Sequence, residues 1–334
     1  MATVRMLVED SSQTAGARRE ARKLAVDLGF GEVAAERVAI VVTEAATNLI
    51  KHGGGGVIYL QPTIGSPPLL EVLALDRGPG FTDFNASRRD GHSTSGTPGN
   101  GLGSIERNSN FSDVYSVPGR GTVLLARFSD NGHNRNGNLH DQPADVAGLQ
   151  SNKPGEDVCG DAWAFWKGRG RQVVIVADGL GHGPEANVAA RAAVEFLDDN
   201  TGATPKELLE IVHRGIRHTR GAAVAVAELD EEQRTIVFAG LGNIAGRICE
   251  SDSSSRHLVS LNGTAGMESR TMFREFRYPW PEDATLIMHS DGLTSRWELN
   301  EYPGLLRRDA GVICGVLLRE FSRGNDDATV VAVK

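Results

Sequence analysis

Two periodicities divide this chain. From Ser12 to Gly29, Ala17, Ala21, Leu24 and Leu28 recur at helical spacing, and Gly29 stands where a helix would stop. A second helix is predicted from about Glu32 to Lys51, with Val38, Val41, Ala45 and Leu49 as its apolar stripe. Glu44, Asn48 and Lys51 follow one another at i, i+4 and i+7, so they project together from a neighbouring face. The pattern then shortens to strands, Val57–Gln61 and Leu69–Leu75, the second running into Asp76-Arg77-Gly78-Pro79-Gly80. Asp90–Gly103 is rich in Gly, Ser and Thr, too long and too polar for a simple connector. A short helix is predicted from Leu102, followed by strands Asp113–Val117 and Thr122–Phe128 around a Gly119–Gly121 turn. Ser129–Gln142 has almost no apolar residue and reads as a linker in which His133 and His140 are solvated.

Beyond the linker the apolar runs are shorter and more β-branched. Val173–Val176 reads as a buried strand ending in Ala177-Asp178-Gly179, with Gly181 and Gly183 close behind. Gly160-Asp161 lies upstream across a hairpin that turns at Gly168-Arg169-Gly170. Pro184–Leu197 is Ala-rich and helical, and Thr204-Pro205-Lys206-Glu207 is a capping box opening a helix to about His218. Strands are predicted at Ala222–Leu229, Thr235–Ala239, Ala245–Cys249 and His257–Leu261, interrupted by the loop Gly240-Leu241-Gly242-Asn243. A last helix, Ala310–Phe321, precedes a terminal strand. Many short strands with few helices imply a layered α+β sandwich rather than a parallel doubly wound sheet.

Composition narrows the class. At 334 residues two domains are expected, and 40% apolar with 23% charged residues is soluble-globular usage. No apolar run reaches membrane-spanning length, and MATVRMLVED lacks the layout of a signal peptide. Cys159, Cys249 and Cys314 are too few and too scattered for a disulfide framework, which points to a reduced cytoplasm. Residues 1–130 are nearly neutral at −1, whereas 143–334 carry −7. No basic stripe with interleaved aromatics suggests nucleic-acid binding.

The chemistry sits at strand ends. Asp178 closes one strand, Asp161 stands across the hairpin, Asp291 lies in LIMHSDGLT, and Asp326 and Asp327 open NDDATVVAV. Separated carboxylates with neighbouring glycines suit a hard cation. His182 reads as a satisfied turn histidine rather than a proton donor. In the first half no lysine follows Gly and precedes Ser or Thr, so a Walker A loop is excluded. No eukaryotic kinase catalytic loop occurs, and no phosphoacceptor His on a dimerising helix. A glycine-rich lid can instead offer backbone N–H groups to phosphates.

VVTEAATNLIKHG, DRGPGF and DGHSTSGTPGNGLGSIERNSNFSDVYSVPGRGT stand in an order that resembles the GHKL (Bergerat) ATPase fold, closest to switch kinases of the RsbT type. The resemblance covers residues 1–130 and implies an α/β sandwich binding ATP. By motif, Asn48 would hold Mg²⁺ against the phosphates and Glu44 would act as general base or position water. Asp76 would accept from the adenine amino group, Gly78 and Gly80 would allow close approach, and Thr122 would back the adenine. Gly99, Gly101 and Gly103 would wrap the triphosphate.

The series GD, ADGLGHG, GLGN, SDGLT and NDDATVVAV is similar to the metal-dependent PPM phosphatases of the SpoIIE/RsbX branch, across residues 143–334 with 131–142 as linker. That implies a layered β-sandwich with flanking helices. Asp161, Asp178, the Gly179 carbonyl, Asp291 and Asp326 would hold a pair of Mn²⁺ or Mg²⁺ ions, Asp326 matching the family ligand better than Asp327. Such a pair lowers the pKa of a water and clamps phosphate oxygens for in-line attack, with no protein nucleophile. Consistently, no Cys-x5-Arg cradle follows any cysteine. Together the resemblances imply a bifunctional partner-switching regulator, kinase and Ser/Thr phosphatase, acting on a STAS-domain protein and bearing on a sigma factor. Two rivals remain: a phosphatase whose ATP module only senses nucleotide or binds an anti-sigma partner, and a non-enzymatic scaffold.

Overall fold

The computed structural model describes residues 3–63, 69–81, 101–130, 144–250, 254–267 and 272–334. The predicted linker and most of the glycine-rich lid, Gly99 included, lie outside them. Two compact units emerge: residues 1–144 with 311–319, and residues 145–310 with 320–334.

The first unit opens on strand β1 (Val4–Val8), which the sequence reading did not anticipate. Helix α1 (Ser11–Asp27) starts where Asp10 accepts from the Ser12 amide and Gln13 reaches back, a reciprocal cap. Helix α2 (Glu32–Asn48) buries Val38, Val41, Ala45 and their neighbours. Its last predicted turn differs: the α-helix stops at Asn48 and widens into a π turn, Leu49–Gly53, before left-handed Gly54. π turns of this kind recur at functional sites. Strands β2 (Gly56–Pro62) and β3 (Leu70–Asp76), helix α3 (Gly101–Asn108) and strands β4 (Phe111–Ser116) and β5 (Thr122–Phe128) complete the unit. The antiparallel sheet runs β1-β2-β3-β5-β4. Alternate positions of β3, Leu70, Val72 and Ala74, face the helices and join Val38, Val42 and Ile105 in one core. Period two on the sheet meets period 3.6 on the helices, giving a two-layer sandwich.

The second unit has two five-stranded antiparallel sheets among the described residues. One contains β7 (Asp161–Gly168), β8 (Arg171–Gly179), β9 (Ala222–Asp230), β10 (Thr235–Leu241) and β13 (Phe276–Pro279), ordered β13-β10-β9-β8-β7. The other contains β6 (Val146–Ser151), β11 (Ala245–Cys249), β12 (Ser255–Leu258), β14 (Thr285–His289) and β15 (Ala328–Val333), ordered β12-β11-β14-β15-β6. Val174 and Val176 point from β8 toward Leu286, Met288 and Val331 of the other sheet. Val173, Ile175 and Ala177 point the opposite way, onto helices α4 (Pro184–Asp199) and α5 (Pro205–Gly215). The unbroken β-branched run of β8 is therefore a strand buried on both faces. The Thr204 capping box forms as predicted, its hydroxyl accepting from Glu207 N while Glu207 reaches back to Thr204 N. Helix α6 (Ala310–Phe321), whose residues 311–319 belong to the first unit, precedes β15 in the chain. Strands β6 and β13 were not foreseen; β6 is short, ends in polar residues and takes its place by pairing with β15.

Candidate active sites

In the first unit, Glu44 and Asn48 lie one turn apart on α2 and face the start of α3. A Cβ at Gly101 would sit 3.2 Å from Asn48 Oδ1 and 3.4 Å from Glu44 Oε2, so a larger residue there would press on both side chains. Asp76 caps β3. Its Oδ1 accepts from Gly78 N at 2.8 Å and Thr122 N at 3.2 Å, bonds that leave Oδ2 uncommitted to either. Burial pushes the Asp76 carboxyl above the usual carboxylate range, opposed by those two amides. Gly78 packs against the His52 carbonyl and Gly80 against Val117 O, each closer than a Cβ would permit. Thr122 Oγ1 lies 3.2 Å from Ser116 Oγ, which also takes the Phe81 amide. A Cβ at Gly53 would stand 2.6 Å from Asp76 Cβ, so the π turn joins the Asn48 group to the Asp76 group. Glu44, Asn48 and Gly101 thus form one group and Asp76, Gly78 and Thr122 a second, with Gly80 beside it and Gly103 buried in the first turn of α3.

In the second unit the acids come two from each sheet. Asp161, opening β7, and Asp178, near the end of β8, are cross-strand partners. Asp291 follows β14 and Asp326 precedes β15, at the matching end of the other sheet. Burial, then the charges of Asp161, Asp291, Asp326 and Asp327, push the Asp178 carboxyl far up, to about 9. Burial also raises Asp161, against the hydrogen bond from Ser290 Oγ and the neighbouring Thr329 hydroxyl, which lower it. Like charges gathered in a poorly solvated place disfavour one another.

Four of the five acids are held from behind. Ser290 Oγ donates to Asp161 Oδ2 at 2.6 Å and in turn receives the Thr329 amide at 3.0 Å. Gln150 Nε2 donates to the Asp161 carbonyl at 2.9 Å. Asn243 Nδ2 donates to Asp291 Oδ2 at 2.7 Å. Asp326 Oδ1 takes the Asp327 amide at 3.0 Å, and Asp327 Oδ1 takes the Lys153 amide at 2.9 Å. Among the described residues, Asp161 Oδ1 and Asp327 Oδ2 are buried acceptors with no hydrogen-bond donor. A buried oxygen of that kind is costly unless something cationic faces it.

Among the described residues no three His, Cys, Asp or Glu side chains already close around one point suited to an ion. The donor chemistry nevertheless fits a hard divalent cation: carboxylate oxygens in excess, two of them buried and bare, with no basic side chain bonded to them among the described residues.

Gly179 has a packing reason that its motif did not suggest. A Cβ there would lie 2.1 Å from the Ala186 carbonyl of α4, so any side chain would push the helix off the strand end. Ser290, Asn243, Gln150 and Thr329 were not singled out from sequence. Three of them stand inside the quoted motifs, SDGLT, GLGN and DDATVVAV, whereas Gln150 lies outside any motif. His182 Nδ1 lies 2.5 Å from Glu156 Oε1, the satisfied turn histidine expected.

Two sandwiches of this kind define the class: a GHKL-type ATP-binding domain followed by a PPM-type phosphatase fold. The chain belongs to the Stage II sporulation protein E (SpoIIE) family over residues 168–334, and over 7–133 it matches the histidine kinase-like ATPase domain. The serine/threonine-protein kinase RsbT of Bacillus subtilis (strain 168) is 35% identical over 111 residues, 33% of this chain and 84% of RsbT. The phosphoserine phosphatase RsbX of the same organism is 24% identical over 145 residues, 43% of this chain and 72% of RsbX. A solved structure described under the bacterial stressosome, a modular system adapted to control secondary messenger signalling, superposes with a TM-score of 0.52. It is 26% identical and covers 57% of this chain and 98% of its own. No described helix is long and apolar enough to cross a membrane.

Proposed function

We propose that this chain is a bifunctional regulator of a bacterial partner-switching pathway, with 1–130 and 143–334 as kinase and phosphatase domains joined by 131–142. The phosphatase would remove, and the ATP-binding domain would install, phosphate on Ser or Thr of a STAS-domain protein in the cytoplasm. The observation that carries the phosphatase half is the carboxylate cluster at one end of both sheets, with Asp161 Oδ1 buried and bare. The likeness to RsbT and to RsbX, in that order along one chain, supports the pairing of activities.

Asp161, Asp178, the Gly179 carbonyl, Asp291 and Asp326 would hold two divalent ions, Mn²⁺ or Mg²⁺. Bound there, the metal pair supplies an acidified water and neutralises phosphate charge, which removes the need for a protein nucleophile. The chain's own work is orientation. Ser290 fixes one Asp161 oxygen and leaves the other free, and Asn243 does the same for Asp291. Such supporting bonds are what hold ligands in productive geometry. In the first domain Asn48 would hold Mg²⁺ on ATP, and Glu44, one turn earlier, would take the proton of the attacking hydroxyl or position it. Asp76, with Oδ1 engaged by backbone, would present Oδ2 to the adenine amino group. Gly99, Gly101, Gly103 and Thr122 would complete the nucleotide cradle. Phosphoryl transfer depends chiefly on such positioning and charge neutralisation.

The test is incubation of the full chain with [γ-³²P]ATP and candidate STAS proteins, with and without Mn²⁺. Asp178→Asn should raise steady-state phosphorylation of the partner, and Asn48→Ala should leave dephosphorylation of pre-phosphorylated partner intact. Hydrolysis without labelling in any variant would reduce the first domain to a nucleotide sensor. No metal-dependent hydrolysis by wild type would overturn the phosphatase reading.

A further inference from the structure

Immediately beyond Asp178 and Gly179, the chain turns through Leu180, Gly181, His182 and Gly183 into α4. This loop is fastened to the segment before β9 by the Leu180 amide, which donates to Gly221 O at 3.0 Å. The neighbour of Gly221 is Arg220, whose guanidinium approaches the loop at Gly181. A Cβ at Gly181 would come within 3.1 Å of Arg220 Nη1, and Gly181 has φ +91°, so glycine keeps that space open on both counts. The Nη2 side of the same guanidinium pairs with Glu185 on the first turn of α4. About half of the Arg220 side chain faces solvent.

Two exposed apolar side chains flank this cation. Leu180, on the loop itself, is 41% exposed, and Met267 is 60% exposed. Met267 belongs to the same place, since a Cβ on Gly221 would meet its Cγ at 2.8 Å. One arginine and two exposed hydrophobes therefore border the loop that leaves β8 just after Asp178. A fork of N–H donors suits phosphate oxygens, and a phosphate dianion approaching a carboxylate cluster needs a cation at its outer side. Flexible apolar side chains such as Met suit the varied residues on either side of a modified serine.

We propose that Arg220, Leu180 and Met267 form the substrate lip of the phosphatase site. Arg220 positions the phosphate of a phosphoserine-bearing protein segment, and the two hydrophobes hold the flanking residues. The inference rests on the phosphatase reading above. Its bland counterpart is a surface ion pair that steadies α4, an interaction that contributes little when exposed and screened.

The experiment uses the full chain with Mn²⁺, a phosphoserine peptide and p-nitrophenyl phosphate. Arg220→Ala should raise KM for the phosphopeptide about tenfold or more, as expected for losing a charge-assisted contact, with kcat changed far less. Arg220→Lys should recover part of that loss, because it keeps the charge and loses the fork. Glu185→Gln should leave KM within about twofold; equal effects of Arg220→Ala and Glu185→Gln would mean a mere clamp on α4 and overturn the proposal. The double substitution Leu180→Ser, Met267→Ser should raise KM for the phosphopeptide and leave that for p-nitrophenyl phosphate unchanged, because the aryl ester has no flanking residues. Direct binding gives a second readout: phosphopeptide affinity for the catalytically silent Asp178→Asn chain should fall when Arg220→Ala is added. Calorimetric Mn²⁺ binding should be the same with and without Arg220→Ala. Hydrolysis and Mn²⁺ binding by wild type together with unchanged KM and affinity in Arg220→Ala would sink the lip alone. Absence of both in wild type would sink the phosphatase reading on which it rests.

Discussion

Glu71 in the first unit and Asp161 in the second are both nearly inaccessible, at 3% and 2%, yet their surroundings are opposite. Glu71 Oε1 takes a 2.6 Å bond from Arg127 Nε, and Oε2 takes one from Gln61 Nε2 at 2.9 Å. Arg127 in turn lies over the Phe111 ring. These four residues are successive cross-strand partners, so the sheet register itself assembles the pair. Asp161 has a hydroxyl on one oxygen and nothing on the other, and its charged neighbours Asp327 and Asp291 repel it. A buried charge that is fully answered by protein holds a fold in register. One that is answered only in part, and crowded by its own kind, does not hold a register in that way and is a candidate for binding a cation.

The largest expected effect tests that contrast at the acidic end. Asp178→Asn should cut metal-dependent hydrolysis of a phosphoserine peptide to about a thousandth or less, since several kcal/mol of charge stabilisation would go with the ligand. Circular dichroism should show the chain still folded. Near-normal turnover in this variant would break the comparison, because Asp178 would then be as structural as Glu71.

The reciprocal substitution sits at the paired end. Glu71→Ala leaves Arg127 buried without its carboxylate and should cost about 3–5 kcal/mol in denaturant unfolding of the first unit. ATP binding by the folded fraction should be retained, because neither residue touches the Asn48 or Asp76 group. A change below about 1 kcal/mol would show that the pair does not hold the sheet.

A third effect concerns the space between α2 and α3. Gly101→Val would push on Asn48 Oδ1 and Glu44 Oε2, which stand 3.2 and 3.4 Å from a Cβ at that position. Nucleotide affinity by calorimetry should fall about tenfold or more, comparable to Asn48→Ala, as when a metal-and-phosphate contact is misplaced. Unchanged ADP binding in both variants would remove Asn48 from the nucleotide site.

The contrast also explains what the sequence made legible. Long-period apolar stripes and β-branched runs are local, so α1, β5, β8 and α4 were readable within a residue or two, and α2 up to its last turn. The acids were readable because they sit in short motifs at strand ends. Strands β1 and β6 were not, because each is specified by its partner rather than by its own pattern: β1 lies on β2 and β6 on β15. The Glu71–Arg127 pair was invisible for the same reason, its members being 56 positions apart and joined only through register. The π turn after Asn48 carries no separate periodic signal. The residues that hold the acids from behind, Ser290, Asn243 and Thr329, were letters inside quoted motifs whose roles need three dimensions. Arg220 lay outside every motif considered.

The smallest effect is also the most direct reading of uncompensated charge. Burial and neighbouring carboxylates raise Asp178 to about 9 in the folded chain and raise Asp161 as well. Unfolded, both would titrate near 4. From pH 4 upward the unfolded state therefore gives up protons that the folded state keeps, so it binds fewer, and metal-free stability falls as pH rises. The contribution of these two groups is complete below about pH 4 and is lost as pH climbs through neutrality toward 9. Metal-free wild type should thus lose melting temperature between pH 5 and pH 8. Metal-free Asp178→Asn, with one buried like charge removed, should be the more stable protein at pH 8, by something on the order of 1 kcal/mol, with the gap closing toward pH 4. Saturating Mn²⁺ should reverse the order, because wild type gains a ligand-linked stabilisation that the variant cannot. Melting curves of the two full-length proteins at pH 5 and pH 8, with EDTA or with Mn²⁺, decide it. An Asp178→Asn chain less stable than wild type in EDTA at pH 8 would mean that Asp178 is already answered within the protein.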